Sequence, residues 1–266
     1  MKIFINSLLL VGLLSLGFFN CHVVDPTEVE VSNNNYSAAE PFHFDVSLNN
    51  QPALYLNGIN GPIEVIGVAE ASHIQLTGER KVESDSRTDA REYLEQLEVQ
   101  INQRQDAIYV KTIQPNENHG RNFIVSYNLR IPATLDLIIV NVNGEVRIDS
   151  LQNSTTITLV NGNVIFPCIN SNLNVNITNG QVGGKNILPL QGTARINTIN
   201  GSIQMEIPQN TSAKITAGVT NGNVSTSNLN LTNVAASGKS LSGTLGKGEG
   251  TIVLRTINGS IHLSGF

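Results

Sequence analysis

The sequence predicts an all-β protein, a parallel β-solenoid of 18–21-residue Asn-Gly repeats with one short helix inserted in its N-terminal half. Three observations predict it. Asn-Gly pairs recur at Asn60, Asn143, Asn161, Asn179, Asn200, Asn221 and Asn258, and from Asn143 the first gaps are 18, 18, 21 and 21 residues. Fixed apolar columns flank each pair. The composition is poor in charged residues (14%) and aromatic residues (5%), with no Trp, and side chains of the Asn, Thr and Ser type suit strands and turns better than long surface helices.

The first twenty residues predict a signal peptide. Lys2 gives a positive start and Leu8 to Phe19 an apolar stretch, which Asn20 and Cys21 end. Twelve such residues fall short of the roughly 20 needed to span a bilayer. Cys21 at that border resembles the modified cysteine of bacterial lipoproteins, although Asn20 replaces the small residue usual before it. The resemblance implies lipid attachment at Cys21 and a place in the bacterial cell envelope, as an outer-membrane lipoprotein. The alternative is a secreted protein with a Cys21–Cys168 disulfide. With Cys21 lipidated, Cys168 is left single and is expected as a small buried residue after Pro167.

Residues 21–41 read as the anchor and an acidic, Asn-rich tether. Residues 42–132 read as an N-terminal β region. Alternation starts at Phe42, Phe44 and Val46 and recurs at Leu54–Leu56, Ile63–Val65 and Ile74–Leu76. Twelve of the 37 charged residues then crowd into positions 79–104. There Ser86 and Asp89 suggest a weak capping box, and Ala90, Tyr93, Leu94 and Leu97 follow helical spacing, predicting a helix over Thr88 to Leu97. Strands are expected at Leu97–Asn102, Ala107–Ile113 and Phe123–Ile131, with Pro132 stopping the last.

Residues 133–266 are the repeat. Four positions before each Asn stand Leu56, Ile139, Ile157, Val175, Ile196, Ala217 and Leu254, all apolar. Three positions after it stand Ile63, Val146, Val164, Val182, Ile203, Val224 and Ile261, all β-branched. Between Gly and the latter column comes a residue unfit for a core, such as Glu145, Asn163, Gln181, Ser202 or Asn223. The two apolar columns are an odd number apart, so alternation changes phase once, at a corner where Asn and Gly tolerate left-handed backbone. The 37-residue gap before Asn258 is expected to hold a degenerate copy near Ser242-Gly243. Two architectures fit: stacked coils of a solenoid, with like residues on like, or an antiparallel meander or sandwich of Asn-Gly hairpins.

The run Leu129-Arg130-Ile131-Pro132, followed by repeats such as Val142-Asn143-Gly144-Glu145-Val146, resembles the putative-adhesin family of bacterial envelope proteins. Over residues 42–266 the resemblance implies a β-solenoid behind a signal peptide, and it brings no catalytic residues.

Several function classes lose support. A net charge of −5 and no basic run beyond Arg80-Lys81 argue against nucleic acid as a partner. No two of His22, His43, His73, His119 and His262 have the spacing of a zinc helix, and CxxC is missing, so no metal or cofactor is expected. Gly238-Lys239-Ser240 lacks the earlier glycine of a phosphate loop, and no nucleophile elbow occurs. Glu145 and Asp149 are close in sequence, but nothing sets them face to face as a glycosidase pair. The expectation is a non-enzymatic surface-binding or adhesive module. It would meet the membrane through its lipid and a glycan or protein through the row Glu145, Asn163, Gln181, Ser202 and Asn223. The alternatives are a structural envelope protein without external ligand and a carbohydrate-active enzyme.

Overall fold

The computed structural model describes residues 34–266. The predicted signal peptide and Cys21 lie outside the described residues. In chain order come β1 (Tyr36–Ser47), β2 (Ala53–Asn57), β3 (Ile63–Val68), β4 (His73–Ser84), helix α1 (Arg87–Leu94), β5 (Glu98–Gln103), β6 (Ile108–Ile113) and β7 (Asn122–Pro132). The repeat follows as strand pairs on either side of successive corners: β8 (Asp136–Asn143) and β9 (Val146–Asp149), β10 (Thr155–Asn161) and β11 (Val164–Ile169), β12 (Leu173–Asn179) and β13 (Val182–Asn186). Next are β14 (Thr193–Asn200) and β15 (Ile203–Ile207), then β16 (Ala213–Asn221) and β17 (Val224–Ser227). A hairpin of β18 (Thr232–Ser237) and β19 (Ser240–Leu245) precedes the last pair, β20 (Gly250–Asn258) and β21 (Ile261–Gly265).

Each Asn-Gly corner passes the chain from one sheet to another. The first sheet runs β1-β4-β7-β3-β9-β11-β13-β15-β21-β17, and the second runs β18-β19-β16-β20-β14-β12-β10-β8-β2-β6-β5. Within the repeat every pair of rungs is parallel, with Val164 beside Val182 and Val182 beside Ile203. This is a solenoid, and the antiparallel meander does not occur there. Both apolar columns point into one core shared by the two sheets. All seven residues four before the Asn are buried, and so are all of those three after it except Val224, which is half-buried.

Rung order departs from chain order once. β20 lies between β14 and β16, and β21 between β15 and β17. The expected degenerate copy at Ser242-Gly243 is therefore not a coil. Those residues lie in β19, which pairs antiparallel with β16 and β18. Leu241 and Leu245 of the hairpin are buried, with Leu229 and Leu231 packed partly against the core, so the hairpin closes the end of the stack. Gly246 and Gly248, at φ +60° and +73°, then turn the chain back into the gap between older rungs.

The opposite end is built differently. β1 begins at Tyr36, so residues 36–41 belong to this strand and not to a tether. β4 pairs antiparallel with both β1 and β7, and Phe42 meets Tyr127 edge-on at 5.8 Å. The helix starts as expected, with Ser86 accepting a hydrogen bond from the Asp89 amide at 3.2 Å. It ends at Leu94, three residues early. Turn bonds from Gln96 to Tyr93 and from Leu97 to Leu94 divert the chain into β5. Cys168 also departs from expectation: it is exposed, because the register shift between Phe166 and Ile169 turns it outward.

Candidate functional site

The corner chemistry is specific. Each corner glycine has φ between +128° and +158°, where residues with a side chain are strained. It also lies against its neighbour's backbone: a Cβ on Gly180 or Gly201 would stand 1.7 Å from the carbonyl oxygen of the glycine one rung away. The corner asparagines have no positive φ, contrary to the left-handed role expected of them. Their function is lateral. The Nδ2 of Asn161 donates to Oδ1 of Asn143 at 2.8 Å, Asn179 to Asn161, Asn200 to Asn179, Asn258 to Asn200 and Asn221 to Asn258, each at 2.7–2.8 Å. Beside this side-chain ladder runs a backbone one, in which Gly162, for example, donates to the Asn179 carbonyl at 3.0 Å. Asn60 stands apart from the side-chain ladder and donates to the Phe123 carbonyl.

Directly after the corner come the predicted contact residues. Glu145, Asn163, Gln181 and Asn223 are exposed and Ser202 is half-exposed. Parallel pairing puts them on successive rungs about 4.8 Å apart. The structure inserts Ser260 between Ser202 and Asn223, since the last rung lies there. Part of the row's hydrogen-bonding capacity is used internally: Asn163 Oδ1 accepts from the Gln181 amide, and Ser202 Oγ from the Ser260 amide. Two shallow hollows adjoin the row on the first sheet, about 290 Å³ beside Asn163 and Gln181 and about 230 Å³ beside Glu145.

Glu145 and Asp149 are not brought into a bonded pair. Glu145 is at the corner, whereas Asp149 ends β9 beside Ser150. His262 shows what the sequence reading missed. Its Nδ1 is 2.9 Å from Ser225 Oγ and its Nε2 3.2 Å from Ser227 Oγ, across residues 35–37 apart. Only the rung order makes them neighbours. Both ring nitrogens meet hydroxyls, and among the described residues no carboxylate bonds to the ring to orient it as a base. Among the described residues, no three His, Cys, Asp or Glu side chains group closely enough to hold a metal ion.

The perturbed titrating groups lie in the N-terminal half. Arg121 clamps Asp89 through two bonds, Nε to Oδ2 at 2.6 Å and Nη2 to Oδ1 at 2.7 Å. This pairing, helped by the Ser84 hydroxyl, holds the Asp89 carboxyl below its usual range. Burial pushes the Tyr127 phenol up to about 12, partly offset by its 2.6 Å bond with Thr112. Both sets tie elements together, α1 to the segment before β7 and β6 to β7.

A further concavity lies on the second sheet. It is a groove of about 770 Å³ crossing β10, β12, β14, β20 and β16 and ending at Lys239 and Ser240 of the hairpin.

Residues 136–264 match the family described as Toastrack DUF4097. No curated protein matches the chain. Among solved structures, the chain is similar to a putative cell adhesion protein of Clostridium sporogenes, at 15% identity and a TM-score of 0.48, covering 86% of this chain and all of that one. It is similar to a putative adhesin of Parabacteroides merdae, at 13% identity and a TM-score of 0.29, covering 84% and 96%. A putative adhesin of Bacteroides fragilis matches at 10% identity and a TM-score of 0.28, covering 84% and 97%.

Proposed function

We propose that this chain, whose residues 136–264 are a Toastrack DUF4097 domain, is a bacterial envelope protein that works by surface contact and not by catalysis. The observation that carries this reading is the row after the corners. Glu145, Asn163, Gln181, Ser202, Ser260 and Asn223 stand on consecutive rungs of a scaffold held by paired backbone and side-chain ladders. A row of donors and acceptors at strand spacing on a rigid support can meet a glycan or an extended peptide with little ordering cost.

Binding to isolated cell-envelope material should fall in steps as members of the row are changed to Ala, with the fold unchanged because the row is solvated. Turnover of envelope polysaccharide by the pure protein, abolished by Glu145→Gln or Asp149→Asn, would refute the non-enzymatic reading. The lack of aromatic platforms along the row favours a second reading, a structural envelope component with no external ligand. Unchanged envelope binding in the complete row variant would support that one.

Anchoring through Cys21 is part of the proposal and rests on the sequence of the first 21 residues. Each buried acyl methylene contributes about 0.8 kcal/mol, so two chains suffice for stable attachment. Labelled palmitate should enter the wild type and not Cys21→Ala; equal labelling of the two, or none, removes the anchor.

A further inference from the structure

The outer face of the second sheet differs from the row just described. The residue before each corner Asn points outward, and on successive rungs this position holds Val142, Val160, Thr178, Ile199, Ile257 and Thr220. Val160, Ile199 and Ile257 are 38%, 44% and 45% exposed, so an aliphatic stripe lies in water along the stack. It forms one side of the 770 Å³ groove. The other side is the outward row three before the Asn: Asn176 and Asn197, bonded to each other at 3.0 Å, then Arg255 and Gly218. A Cβ built on Gly218 meets nothing within 4 Å, which leaves a notch beside Arg255. Lys239 at the hairpin turn closes that end.

Charge is one-sided here. The strands β10, β12, β14, β20, β16, β19 and β18 contain Arg195, Arg255 and Lys214 and no Asp or Glu, in a protein whose net charge is −5. Among the described residues, neither Arg255 nor Lys239 has an ion-pair partner, whereas on the first sheet Arg147 faces Glu64 and Lys185 faces Glu206. Six strands at about 4.8 Å spacing make the groove roughly 24 Å long. It is therefore a long groove with one aliphatic wall and one polar wall, and its cations Arg255 and Lys239 lie toward one end.

We infer that this groove binds a long-chain fatty acid, with the carboxylate in the Gly218 notch between Arg255 and Lys239 and the tail along Ile257 and Ile199 toward Val160. The wall of Ile257, Ile199 and Val160, interrupted by Thr178, suits a hydrocarbon chain, and the groove lacks the aromatic faces on which sugars stack. A guanidinium and an ammonium supply charge-assisted hydrogen bonds to a carboxylate. The site is separate from the row after the corners and does not depend on it.

Calorimetric titration of the purified full chain with palmitate tests this. Saturable binding of one palmitate per chain is expected. Arg255→Gln with Lys239→Gln should weaken it about tenfold or more, the size of one lost charge-assisted contact. Ile199→Asn, an exposed substitution checked for folding by circular dichroism, should do the same. Lys185→Gln and Ala substitutions along the row after the corners should leave palmitate affinity unchanged. The proposal is overturned if the wild type shows no saturable binding or if the Arg255/Lys239 double variant binds as well as the wild type. It is equally overturned if hexadecyltrimethylammonium, of the same chain length and opposite charge, binds as tightly, or if an acidic polysaccharide such as polygalacturonate saturates the site in place of palmitate.

Discussion

The N-terminal region and the repeat reach one continuous core by different means. From Tyr36 to Pro132 antiparallel pairings (β1–β4, β4–β7, β5–β6) are mixed with parallel ones (β2–β6, β3–β7), and aromatic rings meet in pairs such as Phe42–Tyr127 and Tyr55–Tyr109. Ion pairs such as Arg121–Asp89 and Lys81–Glu83 fasten specific neighbours. From residue 133 onward only Phe166 and Phe266 are aromatic, and the rungs are held by one bond pattern repeated at every corner. The first region is stabilised by contacts that each occur once. The second is close to one-dimensional, each rung answering to its nearest neighbours. A change in one rung should therefore damage its interfaces directly, whereas a change in the first region should remove one local fastening.

Substitutions at one corner sharpen that comparison. The largest effect is expected from Val182→Asp, which puts an unpaired charge in a position 1% exposed and should abolish folding. Gly180→Ala follows. Its Cβ would enter the space of the Gly162 carbonyl, so a loss of several kcal/mol, on the order of overpacking plus left-handed strain, should appear in urea melts. A loss below about 1 kcal/mol would show that the corner can open, and the solenoid reading of Gly would fail.

Asn179→Ala removes two exposed ladder bonds, to Asn161 and from Asn200, and should cost about 1–2 kcal/mol. Asp89→Asn should cost about 1 kcal/mol or less, because Asp89 is only partly buried and solvent screens the pair. Its signature is the pH dependence. The folded Asp89 pKa is depressed, so its contribution is complete above the unfolded value near 3.9 and is lost as pH falls through the lower folded value. The wild type should lose its advantage over Asp89→Asn in acid below about pH 4, and a constant difference down to pH 2 would exclude the clamp as its cause. The smallest effect belongs to Gln181→Asp, one residue before Val182 and exposed, which should shift stability by no more than about 0.5 kcal/mol.

Sequence legibility follows the same division. The columns at Ile157, Val175 and Ile196 and at Val164, Val182 and Ile203 announced which faces are buried, because every rung repeats the same local demand. In the N-terminal region the helix was found through Ser86 and its apolar stripe, yet its end was missed, since the turn after Leu94 is set by packing. The start of β1 was missed because Tyr36 to Pro41 owe their strand to pairing with β4 and carry little alternation of their own. Of the candidate sites, the exposed row after the corners was legible from its column. The groove was not, because Arg255 and Lys239 are 16 residues apart in sequence and share an end only after β16 and β19 pair.

The sequence by itself determined the corner, the register and the inward columns, since these follow from backbone sterics and side-chain period within one rung. It did not determine the order in which rungs stack. Every corner from Asn143 onward offers the same glycine surface, asparagine donor and asparagine acceptor, so any of these rungs can join any other with nearly the same local energy. The placing of the Asn258 rung between those of Asn200 and Asn221 was decided by tertiary structure, where the β18–β19 hairpin covers the far edge of β16 and leaves the returning strand an interior place.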